Sequence, residues 1–333
     1  MNLRRYLLRK VVYVLVTVFF IASLNFFLFQ VLPGDPTRVL LPRGCSGSTV
    51  TGGACPLRAQ LMHEWGLDQP LTTRYVLYIW NLLHGNLGTT LTYNGGGQPV
   101  ANVIGSTIWI TLILVGVATT VTMWLGIILG RISGWRRGRK VDIVITMSTL
   151  FGYSMPSFWV SFMLVYFFAL ILPVFPMVWN LGAYSHMDLS AILVDFAYHL
   201  VLPVLAFVIT NIAWSSLPLR NSLTDVLPAD YMVTAAAKGL DEEDQLRHHA
   251  LPNARLPLVT ASALYFGWVV SGAIVIEIAF GIHGLGQLTW EATLGYDFPL
   301  MSGIFLIATL GVVVANAIAD ILYIVLDPRV REA

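Results

Sequence analysis

The sequence offers few residues in arrangements that catalyse covalent chemistry. It has no Gly-x4-Gly-Lys-Ser/Thr loop for a nucleotide phosphate, no His-Glu-x-x-His pair for zinc and no Gly-x-Ser-x-Gly nucleophile turn. His248 and His249 are adjacent, but neighbouring residues on a helix point about 100° apart. They therefore indicate a docking surface or partners for a helix C-terminus, not a metal site. A membrane-embedded protease or transferase is an alternative without a supporting motif.

The two histidines belong to a polar segment, residues 220–255. Asp230 is placed to cap a helix that runs through three successive alanines, and Gly239 supplies the left-handed residue that ends such a helix. A second short helix is predicted from Asp241, with acidic residues at its positive end and basic residues at its negative end, and Pro252 ends it. Because alanine leaves a shallow surface, this unit predicts a place where another protein packs closely.

Two acidic residues, Glu277 and Asp320, stand at or near the ends of apolar stretches. A charge inside a membrane is costly, so such a residue can mark a transport pathway or a proton relay. Interfacial capping or packing between subunits accounts for the same positions. Both interpretations stay open.

The elements that must position these residues are membrane helices. Apolar residues make up 56% of the 333 residues and charged residues 11%, against about 45–50% and ~25% in soluble domains. Six stretches lack Lys, Arg, Asp and Glu, and each reaches the ~20 residues that a helix needs to cross a bilayer. The third stretch, residues 143–173, contains Pro156 and is too long for one straight crossing. We therefore expect a kink, a tilt or an extension beyond the bilayer. The stretches are residues 11–31, 104–130, 143–173, 196–219, 256–276 and 298–319.

The distribution of Lys and Arg predicts the orientation. With a cytoplasmic N-terminus, fifteen of the nineteen lie on the inner side, and the outer loops 174–195 and 277–297 carry none. The net charge of +1 is too small to indicate a nucleic-acid partner. The sequence therefore predicts an all-α polytopic membrane protein with six transmembrane helices in the lipid bilayer. Its parts are a cytoplasmic N-terminus (1–10), a first helix (11–31), an extracytoplasmic segment (32–103), a five-helix core (104–326) with a cytoplasmic loop (220–255), and a cytoplasmic C-terminus (327–333).

The first stretch has an alternative as a cleaved signal peptide, because basic residues precede it. Its length of 21 residues exceeds the roughly 7 to 15 residues of the apolar region of a signal peptide. Pro33-Gly34-Asp35-Pro36 stands where a cleavage site of small residues would be expected. We therefore predict a retained anchor.

The outer segment contains Cys45 and Cys55, the only cysteines of the chain, with nine residues between them. In an oxidising compartment a disulfide is the favoured interpretation. Two unpaired thiols are the alternative, and metal binding would lack a nearby histidine. Short helices are predicted near residues 56–65 and 71–84, and the segment is expected to pack as a cap on the spans.

The polar segment 220–255 resembles the signature of inner-membrane subunits of ABC importers. That signature is Glu-Ala-Ala, three residues, Gly, nine residues, then Ile, one residue, Leu-Pro. This chain has Val233-Thr234-Ala235, Gly239 and His249-Ala250-Leu251-Pro252 at the same spacing. His249 stands where the signature has Ile, which is similar to the dipeptide and oligopeptide branch, where His is common at this position. Val233 stands where the signature has Glu, and it departs from that branch as well.

Further matches to this branch follow one another over nearly the whole chain. They are Leu32-Pro33-Gly34-Asp35-Pro36, Gly66-Leu67-Asp68-Gln69-Pro70-Leu71, Gly85-Asn86-Leu87-Gly88-Thr89, Pro156-Ser157-Phe158-Trp159, Ala237-Lys238-Gly239-Leu240, Glu277 with Phe280 and Gly284-Leu285-Gly286, and Leu326-Asp327-Pro328-Arg329-Val330-Arg331. Their common order and spacing make the resemblance specific.

The resemblance implies the permease subunit of an ATP-driven importer for di- and oligopeptides, in the inner membrane of a bacterium or archaeon. The implied partners are a second, homologous permease, two ATPase subunits that bind ATP and Mg, and an extracytoplasmic binding protein. This chain is then not an enzyme and itself holds no cofactor or metal. The same architecture serving nickel or another small solute is the alternative.

The resemblance also implies roles for particular residues. The loop that couples the spans to the ATPase subunits is expected to comprise Asp230, Tyr231, Thr234, Ala235, Ala236, Ala237, Lys238, Gly239, Leu240, Asp241, Glu242, Glu243, His248, His249, Leu251 and Pro252. The candidate pathway or gate residues are Glu277, Phe280, Gly284, Gly286 and Asp320.

Overall fold

The structure, a computed structural model, describes residues 3–31, 59–60, 62–63, 66, 68–177, 188–254 and 273–326. Within these ranges the regular elements are helices, and β pairing is limited to one isolated bridge between Thr89 and Pro99. The predicted all-α class is therefore confirmed. The helices are α1 (Leu3–Val31), α2 (Leu71–Leu83), α3 (Val100–Trp135), α4 (Lys140–Ser154), α5 (Ser157–Val165), α6 (Leu189–Val226), α7 (Asp230–Ala237), α8 (Glu242–Asp244), α9 (Ala273–Phe280), α10 (Leu285–Leu294) and α11 (Phe298–Leu326). Tyr93–Gly95 forms a 3-10 turn, and π-helices continue α5 over Tyr166–Ile171 and α8 over Gln245–Ala250.

Four helices are long and apolar enough to cross a membrane: α1, α3, α6 and α11. They contain the first, second, fourth and sixth predicted stretches. Two bent helix pairs, α4 with α5 and its π-helix, and α9 with α10, bring the number to six if each pair is one span. The chain is thus a polytopic all-α membrane protein. Most of the fifth predicted stretch, residues 256–276, lies outside the described residues.

Of the kink, tilt or extension expected for the stretch with Pro156, the structure shows a kink, and it is a sharp one. Met155 and Pro156 have extended backbones, with ψ of 137° and 132°, and the helices on either side meet at 96°. Proline excludes the preceding residue from the helical region, so α4 ends at Ser154. The backbone N–H groups of Trp159 and Val160 donate to the Pro156 carbonyl at 3.0 and 3.1 Å, which starts α5.

Contacts divide the chain into two units, the first made of residues 1–109 and 284–313. In this unit α1 is bonded to α2 and α11. The Ser23 and Tyr75 hydroxyls lie 2.7 Å apart, and Asn25 Nδ2 donates to the Ser302 carbonyl at 2.9 Å. The predicted helix at residues 71–84 is present as α2, and polar bonds attach it to the first span.

A buried carboxylate organises the start of α11 in the same unit. Asp297 Oδ2 accepts from the backbone N–H groups of Leu91, Thr92 and Tyr93 at 2.8–3.0 Å. Its Oδ1 accepts from Leu300 N at 3.2 Å. Because four N–H donors share one fully buried acid, the segment before α3 is fixed to the turn between α10 and α11.

The second unit comprises residues 110–283 and 314–333, and its α3 and α6 are in close contact. Gly126, Gly130 and Gly134 repeat every four residues on one face of α3. A Cβ atom at these positions would lie 1.9 Å from Ser215 Oγ, 2.5 Å from the Ser216 carbonyl oxygen and 2.8 Å from Leu223 Cβ, respectively. Small residues permit this approach of two membrane helices, and α6 is thereby held firmly where it leads into residues 227–254.

Candidate functional site

The candidate site is the docking loop, defined as Asp230–Pro252, which follows α6. Met232 and Ala235 are buried and stand three residues apart, so they share one face of α7. Met232 also belongs to an apolar cluster with residues of α6 and of the helix that follows Gly239. The other buried members are Leu219, Leu223, Leu246, Ala250 and Ala254. This cluster attaches the docking loop to the end of α6.

The opposite face of α7 is exposed and mostly uncharged. Tyr231 and Val233 are 40% and 64% exposed, although both are large apolar residues. Thr234, Ala236 and Ala237 are exposed beside them. The shallow surface that the alanine run predicts is therefore present, with one apolar side chain projecting at Val233.

The predicted left-handed turn at Gly239 is confirmed, with φ of +79°. Gly239 N donates to the Ala236 carbonyl at 3.0 Å, and Leu240 N donates to the Ala235 carbonyl at 3.4 Å, which closes the end of α7. A Cβ atom at Gly239 would meet nothing within 4 Å. The glycine is therefore required by backbone conformation and not by lack of space.

The two predicted helix starts differ in outcome. The second helix starts at Asp241 as predicted, and the structure adds that Asp241 caps it, since its Oδ1 accepts from Asp244 N at 2.7 Å. The prediction that Asp230 caps α7 is wrong, because Ala229 occupies the cap position and no side chain bonds there. Asp230 is instead the first helical residue, where its charge still favours the positive helix end.

The prediction that Pro252 ends the second helix is also wrong. A π-helix covers Gln245–Ala250, and α-helix resumes over residues 251–254. A proline inside a helix removes one hydrogen bond and crowds the carbonyl four residues before it. The wider turn directly before Pro252 relieves that crowding, so the helix continues to Ala254.

The acidic residues of α8 contact other parts of the second unit. Glu243 pairs with Arg131 at the end of α3 and with Arg247 Nε at 3.1 Å, and Trp135 Nε1 donates to Glu242 Oε2 at 3.3 Å. Within the loop, His248 Nδ1 lies 3.5 Å from Asp244 Oδ1. Glu242 and Glu243 therefore attach the loop to α3, a function that the local sequence does not reveal.

A buried ion pair supports the same end of α6. Asp142 is 2% exposed, and its two oxygens accept from Arg220 Nε and Nη2 at 2.7 and 2.8 Å. Ser133 Oγ and Gly138 N also donate to this carboxylate, both at 2.9 Å. The α3–α4 turn is thereby bonded to α6 close to the docking loop. The sequence does not reveal this pair, because its two residues are 78 positions apart in the chain.

The candidate pathway residues belong to both units. Glu277 and Phe280 are buried on α9 in the second unit, and the Thr111 hydroxyl donates to Glu277 Oε1 at 2.7 Å. Gly284 and Gly286 belong to the start of α10 in the first unit. The surroundings of Asp320, and both Cys45 and Cys55, lie outside the described residues. Among described residues, no group of three or more His, Cys, Asp or Glu side chains is placed to hold a metal ion.

A solved structure shares this fold. An inward-facing form of the MetNI methionine ABC transporter contains a chain that superimposes with a TM-score of 0.56 at 16% sequence identity. The match covers 69% of the present chain and 99% of that chain.

Relatives of full length match in sequence. The oligopeptide transport system permease protein AppB of Bacillus subtilis (strain 168) is 30% identical, with 98% of this chain and 99% of AppB covered. The di/tripeptide transport system permease protein DppB of Pseudomonas aeruginosa (strain UCBPP-PA14) is also 30% identical, with 98% of each chain covered.

Two family models together account for most of the sequence. The model described as binding-protein-dependent transport system inner membrane component matches residues 123–332, and the corresponding N-terminal model matches residues 3–96. The proteins so described and named are components and permeases of transport systems. The chain belongs to the family of inner membrane components of binding-protein-dependent transport systems.

Proposed function

We propose that this permease subunit forms, with a second permease, the path by which di- or oligopeptides enter the cell. Support for the peptide substrate comes from AppB and DppB, which carry peptide transport names and match 98% of the chain. In this proposal an extracytoplasmic binding protein delivers the peptide, and the family description, a binding-protein-dependent transport system, supports that partner. ATP and Mg belong to two separate ATPase subunits.

The proposed orientation places both termini and the docking loop in the cytoplasm. The excess of Lys and Arg on that side supports it. The Arg131–Glu243 ion pair is consistent with it, because it joins the basic end of α3 to the docking loop. Both segments then lie on the face where ATPase subunits bind.

The single observation that carries the coupling role is the two-sided construction of α7. Its buried face contains Met232 and Ala235, and Met232 packs in the apolar cluster with residues of α6, while its exposed face presents Tyr231 and Val233. A helix exposed in this way is suited to a groove in a partner, and its apolar side chains serve as anchors. Movement of the ATPase subunits then reaches α6 through the apolar cluster.

The test is uptake by the assembled transporter. The chain is coexpressed with its partner subunits, reconstituted in vesicles and supplied with binding protein, and labelled di- to pentapeptides and nickel are compared. We expect peptide uptake that requires ATP and disappears when the ATPase subunits cannot hydrolyse it. Uptake of nickel without peptide uptake would overturn the peptide assignment while leaving the permease assignment intact.

A further inference from the structure

The turn between α3 and α4 gathers exposed positive charge. Arg136, Arg137, Arg139 and Lys140 are all exposed, and within the described ranges none of them forms an ion pair. Arg131, one helical turn earlier, is instead paired with Glu243. Four cations within five residues therefore remain available to an anionic partner.

These cations stand on a fixed turn. Gly138 has φ of +75°, and its N–H donates to the buried Asp142 at 2.9 Å. Arg139 N donates to the Arg136 carbonyl at 3.0 Å, and Arg137 Nη1 donates to the Thr224 carbonyl at 3.3 Å. A preformed turn lowers the entropy that binding must overcome, so it favours a specific site over a diffuse charged surface.

The position of Lys140 indicates the kind of partner. Val144, Met147 and Phe151 follow it at intervals of four, seven and eleven residues, which places all four on one face of α4. These three apolar side chains are 62%, 60% and 65% exposed. In a membrane protein such an apolar face is suited to lipid chains, and the cation above it then lies at the level of the headgroups.

We propose that the Arg136–Lys140 turn binds the headgroup phosphate of an anionic phospholipid, with the lipid chains along the exposed face of α4. Charge complementarity and the continuous apolar face favour a lipid over a soluble anion or the ATPase surface. The site is independent of which solute is transported. Asp142 and Arg220 join this turn to α6, which fixes the position of the proposed lipid site within the second unit.

The experiment measures lipid binding to the assembled transporter in detergent, by counting bound phosphatidylglycerol and phosphatidylcholine in native mass spectra. The R139Q/K140Q variant is compared with K238Q/R247Q, which removes the same formal charge from exposed positions of the docking loop, where Arg247 is paired with Glu243. We expect R139Q/K140Q to weaken phosphatidylglycerol binding about fivefold per cation, or ~25-fold in all, and the control pair to leave it unchanged. Glycerophosphoglycerol, a headgroup without acyl chains, should compete weakly because it cannot contact Val144 or Met147.

Three outcomes would overturn the proposal. The first is unchanged phosphatidylglycerol binding in R139Q/K140Q, and the second is an equal loss in both pairs, which would indicate unspecific charge. The third is loss of copurifying ATPase subunits with normal lipid binding, which would assign the turn to a protein partner. If the double variant fails to assemble, Arg136→Gln alone is tested in its place. It is expected to weaken phosphatidylglycerol binding about fivefold. An unchanged affinity of Arg136→Gln for phosphatidylglycerol would equally contradict the site.

Discussion

Two glycine turns in the second unit share a backbone conformation and differ in what holds them. Gly138 and Gly239 have φ of +75° and +79°, and a Cβ atom at either would meet nothing within 4 Å. Around Gly138 the support is polar, through the buried Asp142, whereas around Gly239 it is apolar, through Met232. The same local turn therefore presents cations in one place and a shallow helix face in the other, according to its surroundings.

The largest loss of stability is expected at Asp142, the polar support of the Gly138 turn. Asp142→Ala leaves Arg220 without its partner and removes the acceptor for Gly138 N. Breaking a buried ion pair costs about 3 to 5 kcal/mol, and we expect the low end because Arg220 is partly exposed and can reach water. The free energy of unfolding in detergent measures it. Asp225→Ala, an exposed carboxylate on α6, is the control, and equal stability of both variants would show that the pair contributes nothing.

The apolar support should be the next most sensitive. Met232→Ala removes a buried side chain from the cluster beneath α7 and should cost about 2 to 3 kcal/mol, since half-buried neighbours can relax into the space. Val233→Ala, one residue further but 64% exposed, should leave unfolding nearly unchanged and weaken binding of the ATPase subunits. Thermal unfolding and copurification measure the two effects. A larger loss of stability in Val233→Ala than in Met232→Ala would contradict the assignment of the buried and exposed faces of α7.

The smallest effect concerns the helix cap after Gly239. Asp241→Ala removes the acceptor for Asp244 N and should cost about 1 kcal/mol. Asp241→Asn retains a side-chain oxygen and should cost much less. Chemical denaturation of the two variants, compared with Asp230→Ala at a position that makes no cap bond, measures the difference. Equal losses at Asp230 and Asp241 would show that general charge, and not the cap, is responsible.

The sequence predicted those features of the docking loop that depend only on residues a few positions apart. The alanine run, Gly239 and Asp241 predicted the two helices and the turn between them, because caps and left-handed residues act within a few positions. The error at Asp230 is a shift of one residue at a helix boundary. The error at Pro252 arose because a π-helix accommodates the proline, and a reading based on α-helical spacing does not anticipate this.

Contacts between residues far apart in the chain could not be predicted from such local signals. Asp142 and Arg220 are 78 residues apart in the chain, and nothing in either neighbourhood identifies the other. The acids of α8 were predicted only to lie at the positive end of the second helix, although Glu243 binds Arg131 on α3. The repeat of Gly126, Gly130 and Gly134 was a readable signal for close helix packing that was overlooked. The disulfide between Cys45 and Cys55 stays a prediction.

The central claim, that the docking loop couples ATPase movement to the spans, is tested most directly by a matched pair of valine substitutions. Gly239→Val and Gly138→Val place a β-branched residue in the same disfavoured conformation and should destabilise the chain equally, by about 1 to 3 kcal/mol. Gly239→Asn, which tolerates this conformation, is the rescue control. The measurement is ATP hydrolysis stimulated by binding protein, together with peptide uptake, in the assembled transporter. We predict that stimulated ATP hydrolysis and peptide uptake both fall in Gly239→Val and are retained in Gly138→Val and Gly239→Asn. Normal stimulation and uptake in a fully assembled Gly239→Val transporter would contradict a coupling role of the docking loop.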